Sequence, residues 1–176
     1  MPTTGTVVLD MVTYEVTGAS WLDRQRRGLP SSFSDPRADS VQAANSMNWI
    51  WSNPQLDNGV NVALAQVCDV RDHKIYLALT AVHPNGRHIV VTPIDPVEAS
   101  DYWTSPATGR RYPTRCVFRA PQIDTELIIE VPFKQPEIAS SAGAFTKFEG
   151  AATVTGTYEG QQVSGYGYLE LVGNWS

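Results

Sequence analysis

The sequence predicts an all-β fold, an antiparallel sheet of about nine to ten short strands closed into a barrel. Three observations carry that prediction. Apolar residues recur with a period of two along most of the chain, as in strands that bury one face, and the helical period is scarcely seen. Thirteen glycines and 12 prolines stand among 176 residues, with 10% aromatic and 18% charged side chains, a composition of strands and turns. No helical stretch of a dozen residues separates successive strands, so parallel crossovers lack a connector and the pairing is antiparallel.

In chain order, residues 12–17 and 19–23 read as strands around Gly18, and residues 48–52 as a short aromatic strand. Residues 60–67 alternate Val60, Val62 and Leu64 with Asn61, Ala63 and Ala65, and they follow Asp57-Asn58-Gly59, a hairpin turn signal. Their partner is residues 74–83, where Ile75, Leu77 and Leu79 share a face. The turn His83-Pro84-Asn85-Gly86 then leads into a third strand over residues 87–93. Residues 112–119, 125–131, 153–158 and 163–172 complete the set, the last two joined by Glu159-Gly160. Residues 24–45 break the rhythm. Arg24, Arg26, Arg27 and Arg37 mingle there with Pro30, Pro36 and several serines, the composition of a long loop that serves as a lid, a binding loop or a disordered stretch. One helical turn over residues 39–44, capped by Asp39 or Ser40, fits inside it. No repeat or linker divides the chain, and residues 1–176 read as a single domain.

Charge and composition exclude several partners. With 18 acidic against 13 basic side chains the formal net charge is -5, unsuited to neutralising phosphates, so nucleic acid is not expected as a partner. No run approaches the roughly 18 apolar residues of a membrane helix, and the N-terminus has no secretion-signal pattern, so the expectation is a cytoplasmic protein without a membrane span. Cys68 and Cys116 each sit in an apolar strand-like run and read as buried thiols. His73, His83 and His88 fall at turns and strand ends without metal-ligand spacing, and Gly165-x-Gly167 lacks the strand-to-helix setting of a nucleotide loop. No metal or other cofactor is expected.

Five blocks, in order, carry a family resemblance. They are Val16-Thr17-Gly18-Ala19-Ser20-Trp21-Leu22-Asp23-Arg24-Gln25; Trp49-Ile50-Trp51 with Gln55-Leu56-Asp57-Asn58-Gly59; Tyr102-Trp103-Thr104-Ser105-Pro106-Ala107-Thr108-Gly109 with Tyr112-Pro113; Phe148-Glu149-Gly150-Ala151; and Gly165-Tyr166-Gly167-Tyr168-Leu169-Glu170-Leu171. Together they resemble the second lipocalin-like half of the carotenoid hydratase (hydroxyneurosporene synthase) superfamily, which includes fungal Diels-Alderases. The chain departs from that pattern in the length of residues 24–45 and in Ile50, which stands where an acidic residue often separates the two tryptophans. The resemblance implies a lipocalin-like barrel acting on a long apolar substrate without a cofactor. It also implies that a lone half either builds its own pocket or forms a homodimer, and that the motif aspartate, Asp23, is the acid.

The residues themselves leave two arrangements open. On the last strand Val163, Gly165, Gly167, Leu169 and Leu171 alternate with Ser164, Tyr166, Tyr168 and Glu170. If the polar-aromatic face points inward, Tyr166, Tyr168 and Glu170 line a cavity with Trp49, Trp51, Trp103 and Gln66, able to hold a hydrophobic polyene. If it points outward, the tyrosines form an external ladder of cross-strand pairs. Trp21 and Asp23 share a strand face at their two-residue offset. Asp23 is then either a carboxyl raised in pKa beside an indole and ready to protonate an alkene, or the partner of a neighbouring arginine. Glu149 and Glu170 are expected to pair with Arg115 or Arg119. Three functions follow as expectations: a cofactor-free cyclase closing a ring on a polyene or polyketide by intramolecular [4+2] cycloaddition, with Tyr166, Tyr168, Trp51 or Gln66 as hydrogen-bond donor; a hydratase or cation-forming cyclase using Asp23; and a carrier of an apolar ligand.

Overall fold

The computed structural model describes residues 2–22, 47–69, 71–132, 137–139, 146–173 and 175. It divides into two compact units, Met1–Ala38 and Asp39–Ser176. In the first, β1 (Pro2–Leu9) and β2 (Val12–Ala19) form a hairpin in which Leu9 faces Val12 and Pro2 faces Ala19. Asp10 and Met11 hold φ values of 48° and 63°, the left-handed pair that matches the twist of a two-residue hairpin. Strand β2 therefore runs through Gly18 instead of breaking there, and β1 is a partner the sequence reading did not supply.

The second unit holds β3 (Met47–Ser52), β4 (Gln55–Leu56), β5 (Asn61–Asp69), β6 (Lys74–Val82), β7 (His88–Val91), β8 (Glu98–Thr104), β9 (Arg111–Ala120), β10 (Thr125–Glu130), β11 (Glu137–Ile138), β12 (Lys147–Tyr158) and β13 (Gln161–Val172). The strand order is β7-β6-β5-β3-β13-β12-β10-β9-β8, with β4 between β5 and β13 and β11 against β12. Every pairing is antiparallel. Residues linking β7 to β8 tie the two ends of that order together. Ile94 N–H donates to the Leu77 carbonyl of β6 at 3.4 Å, and Asp95 N–H donates to the Arg119 carbonyl of β9 at 2.9 Å. The result is the all-β, barrel-like antiparallel fold expected.

Turn chemistry explains where the chain reverses. Gly59, Gly86 and Gly160 have φ of 83°, 84° and 73°, and they close the Asp57, His83 and Glu159 turns read from the sequence. Alternation then fixes one buried face per strand. On β5, Val62, Leu64, Gln66 and Cys68 are buried while the residues between them are not. They join Leu79, Phe118, Leu127, Ile129, Phe148, Leu169 and Leu171 in one contiguous core. Tyr112 and Tyr158 lie in the same core, each 2% exposed or less. Among the described residues these side chains form the buried inner face of the sheet. Both cysteines are buried free thiols, and burial pushes Cys116 up to about 12.

Candidate functional site

Strands β3, β13 and β12 lie side by side, and their registers bring three of the five sequence blocks together. Glu170 faces Trp51 on one side and Glu149 on the other, and Tyr168 faces Ala151. These residues have the opposite parity to Ile50, Leu169 and Phe148, which are buried in the core, so they form the outer face of the sheet. Tyr166 is 76% exposed there. The polar-aromatic face of β13 therefore points outward. The reason lies on the other face, where Gly165 and Gly167 leave room for β4 and the residues before it. A Cβ at position 165 would stand 2.2 Å from the Gln55 carbonyl oxygen, a distance no side chain tolerates.

At one end of this outer face sits a knot of ionisable groups. Trp49 Nε1 donates to Glu170 Oε1 at 2.6 Å, Lys147 Nζ lies 3.7 Å from Glu170 Oε2, and Lys147 is ion-paired with Glu149. The side chains of Glu149 and Glu170 are 7% and 16% exposed, which makes the pair far drier than a surface carboxylate. Burial foremost, with the adjacent Glu149 carboxylate, raises the Glu170 pKa against the opposing pull of Trp49 and Lys147. Burial lowers Lys147, but its two carboxylate partners outweigh that and leave it raised. Tyr168 is held above the ordinary phenol range by burial and by its hydrogen bond to Glu149. The knot therefore sets a carboxyl whose pKa burial raises beside a second, lysine-paired carboxyl, two groups of the kind that donate and accept protons.

Beyond the Ala151–Tyr168 pair the face opens into a groove of about 360 Å³, bounded by Gln55, Asp57, Thr153, Thr155, Ser164 and Tyr166. Asp57 Oδ2 accepts from Ser164 N–H at 3.1 Å and from its hydroxyl at 2.6 Å, and the hydroxyl bond foremost lowers the Asp57 pKa.

The expected site residues divide between faces. Trp49, Trp51, Tyr166, Tyr168 and Glu170 come together outside the sheet. Gln66 and Trp103 belong inside it. Gln66 is 3% exposed and accepts the Val97 N–H at 2.8 Å, while Trp103 stacks on Tyr112 with ring centroids 6.3 Å apart. Trp21 lies in the hairpin unit, 39% exposed, and Asp23 with the whole of residues 24–45 lies outside the described residues. The expected arginine partners of Glu149 and Glu170 are engaged elsewhere. Strand β10 stands between β9 and β12, so Arg115 meets Glu130 at 3.3 Å and Arg119 meets Glu98 and Glu126, both at 2.6 Å. Lys147 was missed because the strand was read from residue 153, although the alternation Lys147, Glu149, Ala151 was there to extend it. Of the two other blocks, residues 102–113 have a structural role: Ser105, Thr108 and Tyr112 hydroxyls all donate to the Glu137 carboxylate.

A family profile described as AttH-like matches residues 1–174. The chain belongs to the AttH-like family. This AttH-like chain is similar to an AttH protein of Nitrosomonas europaea, with 25% identity and a TM-score of 0.71 over 99% of this chain and 50% of that one. It also shares the fold of kievitone hydratase from Nectria haematococca, with 14% identity and a TM-score of 0.66 over 96% of this chain and 49% of that one. It spans about half the length of each. The lipocalin-like resemblance read from the motifs agrees with both neighbours. No curated protein matches the chain. Among the described residues of the AttH-like chain no helix is long and apolar enough to cross a membrane, and no three His, Cys, Asp or Glu side chains gather as metal ligands.

Proposed function

We propose that the chain is an acid–base catalyst of the hydratase type, adding water across an isoprenoid double bond at the outer face of β3, β13 and β12. The observation that carries this reading is Glu170, a carboxyl with a raised pKa beside a second, lysine-paired carboxylate and two indoles. In the step, the Glu170 O–H bond breaks as a C–H bond forms at the less substituted alkene carbon, leaving a tertiary cation. The π faces of Trp51 and Tyr168 offer that cation stabilisation of about 0.5–2 kcal/mol per contact. Water then bonds to the cationic carbon and gives its proton to Glu149, and proton exchange between the two carboxyls restores the start. Kinship of fold with a protein named as a hydratase supports the same chemistry.

Cation-driven ring closure shares the first step and differs only in the nucleophile, an alkene in place of water. Cycloaddition in a central chamber, the leading expectation from sequence, has less support, since Tyr166 and Tyr168, its expected hydrogen-bond donors, face outward from the sheet. The test is prenol in ¹⁸O-labelled water. Product carrying one labelled oxygen is expected, with the rate falling on the order of 10² or more in Glu170→Gln and holding in Asp23→Asn. Loss of rate in Asp23→Asn alone would move the acid to that residue, and equal rates in all three proteins would contradict acid catalysis by either.

A further inference from the structure

Two neighbouring rows of the outer face surround Glu170. In one row Trp51, Glu170 and Glu149 stand opposite one another on β3, β13 and β12, and in the next Trp49, Val172 and Lys147 do. Trp49 and Lys147 are therefore diagonal neighbours of Glu170 from opposite sides, a separation that long side chains bridge. Val172, 3% exposed, stands between them in their own row. The Glu170 carboxyl is spread across the gap. Its Oε1 takes the Trp49 indole N–H at 2.6 Å on the β3 side, and its Oε2 lies 3.7 Å from Lys147 Nζ on the β12 side. An indole N–H only donates, so the oxygen that receives it must offer a lone pair. In a neutral carboxyl the better acceptor is the carbonyl oxygen, and the acidic hydrogen belongs on the other one.

From this geometry we infer that Trp49 is a positioning residue for the acid: its N–H makes Oε1 the carbonyl oxygen and places the transferable proton on Oε2, on the side of Lys147 and Glu149. The inference rests on the hydratase reading, whose cycle it closes. The Glu170 Oε2–H bond breaks as the alkene gains its C–H bond, and the water that captures the cation passes its proton to Glu149. The Glu149 O–H then returns that proton to the same Oε2, beside the Lys147 ammonium that touches both carboxyls. A proton on Oε1 would lie on the β3 side, away from the group that must replace it. Among the described residues, the titratable side chains facing Glu170 are Lys147 and Glu149 from β12 and Tyr168 from its own strand, and β3 brings none. Trp49 is thus the hydrogen-bond donor on the β3 side, and its bond favours the ionised carboxyl against the effect of burial.

The experiment uses wild type, Glu170→Gln, and Trp49→Phe, which keeps an aromatic ring and loses the N–H; circular dichroism checks folding. Two readings need no substrate. One is the indole N–H resonances of the five tryptophans, of which Trp49's is absent from Trp49→Phe, and the other is the Glu170 carboxyl ¹³C signal, absent from Glu170→Gln. The third is the pH profile of kcat for prenol hydration. In wild type the Trp49 resonance is expected to titrate together with the Glu170 carboxyl, and in Glu170→Gln to stop doing so. In Trp49→Phe the proton affinity of Glu170 is expected to rise about tenfold, carrying the alkaline limb of kcat upward, while maximal kcat falls about tenfold. A ring that serves packing alone would leave the pH profile in place. An unmoved carboxyl midpoint in Trp49→Phe, or a moved midpoint with unchanged maximal kcat, would overturn the inference. Should that variant not fold, an indole resonance that titrates in wild type and not in Glu170→Gln supports the inference, and the lack of one overturns it. If wild type hydrates no prenol while the resonance and midpoint behave as stated, the hydratase reading fails and the indole's hold on Oε1 stands. If hydration depends on Glu170 and neither midpoint nor rate responds to Trp49→Phe, the positioning role fails and the hydratase reading stands.

Discussion

Glu170 and Glu137 are two carboxylates that the fold treats in opposite ways. Burial raises Glu170, so the folded state favours its protonated form. The stabilisation is full below the ordinary glutamate range and is lost as pH rises through the raised value. Glu170→Gln is therefore expected to gain in melting temperature relative to wild type as pH increases, a difference followed by thermal melts across pH. For Glu137 burial also pushes upward, but the Ser105, Thr108 and Tyr112 hydroxyls and the Arg110 charge prevail and the pKa is lowered. Its stabilisation is present above the ordinary glutamate range and lost as pH falls through the lowered value. Glu137→Ala is expected to cost about 2–4 kcal/mol at neutral pH, since it strands the buried Tyr112 hydroxyl as well as two others, and denaturant melts measure it. Sequence reasoning singled out Glu170 as a carboxylate that needs a partner, and the structure supplies Trp49 and Lys147 in place of the expected arginines. Sequence reasoning could not find Lys147 as that partner, because which charge faces which across a sheet depends on strand order, and strand order is not written in local periodicity. Gln66 and Trp103 show the converse. Each was legible as a special residue, yet an inward glutamine satisfied by the Val97 N–H and an indole stacked on Tyr112 serve packing.

At the scale of single elements, strands flanked by glycine turns were the legible ones. Strands β5, β6 and β7 follow from alternation plus Asp57-Asn58-Gly59 and His83-Pro84-Asn85-Gly86, because a turn that needs positive φ at a given place also sets the register beyond it. Strand β8 was not legible. Its sequence EASDYWT does not alternate, and Asp101 in its middle has a φ of 54°. Strands β4 and β11, of two residues each, fall below the length at which a period is defined. The faces of β13 were legible as two faces and no further, since periodicity tells which residues travel together but not which set meets the core. The glycines decide it. Gly165→Ala is expected to cost about 1–3 kcal/mol or more, as its Cβ would collide with the Gln55 carbonyl, whereas Gly5→Ala, with nothing within 4 Å, is expected to stay within about 0.5 kcal/mol. Denaturant melts of the two variants check that ordering.

For the molecule as a whole, separation of the two sheet faces is the organising fact: one holds the core together and the other carries the proposed acid–base pair. Leu127 is fully buried, so Leu127→Ala is expected to destabilise by about 2–5 kcal/mol while leaving the rate of prenol hydration within about twofold, checked by melts and by ¹⁸O incorporation on the same protein. Fold class and antiparallel pairing were readable from sequence because both follow from local period and connection length. The location of the site was not, because a hollow barrel and a packed one have the same alternation and differ only in how much volume the inward side chains fill. Tyr112, Phe118, Phe148 and Tyr158 are the large side chains buried on that inner face. The most direct measurement is a crystal structure of the protein soaked with prenol. The account predicts ligand density on the outer face of the sheet, against Trp51 and Tyr168 with its alkene beside Glu170. Density inside the sheet, among Leu64, Leu127 and Phe148, would contradict it.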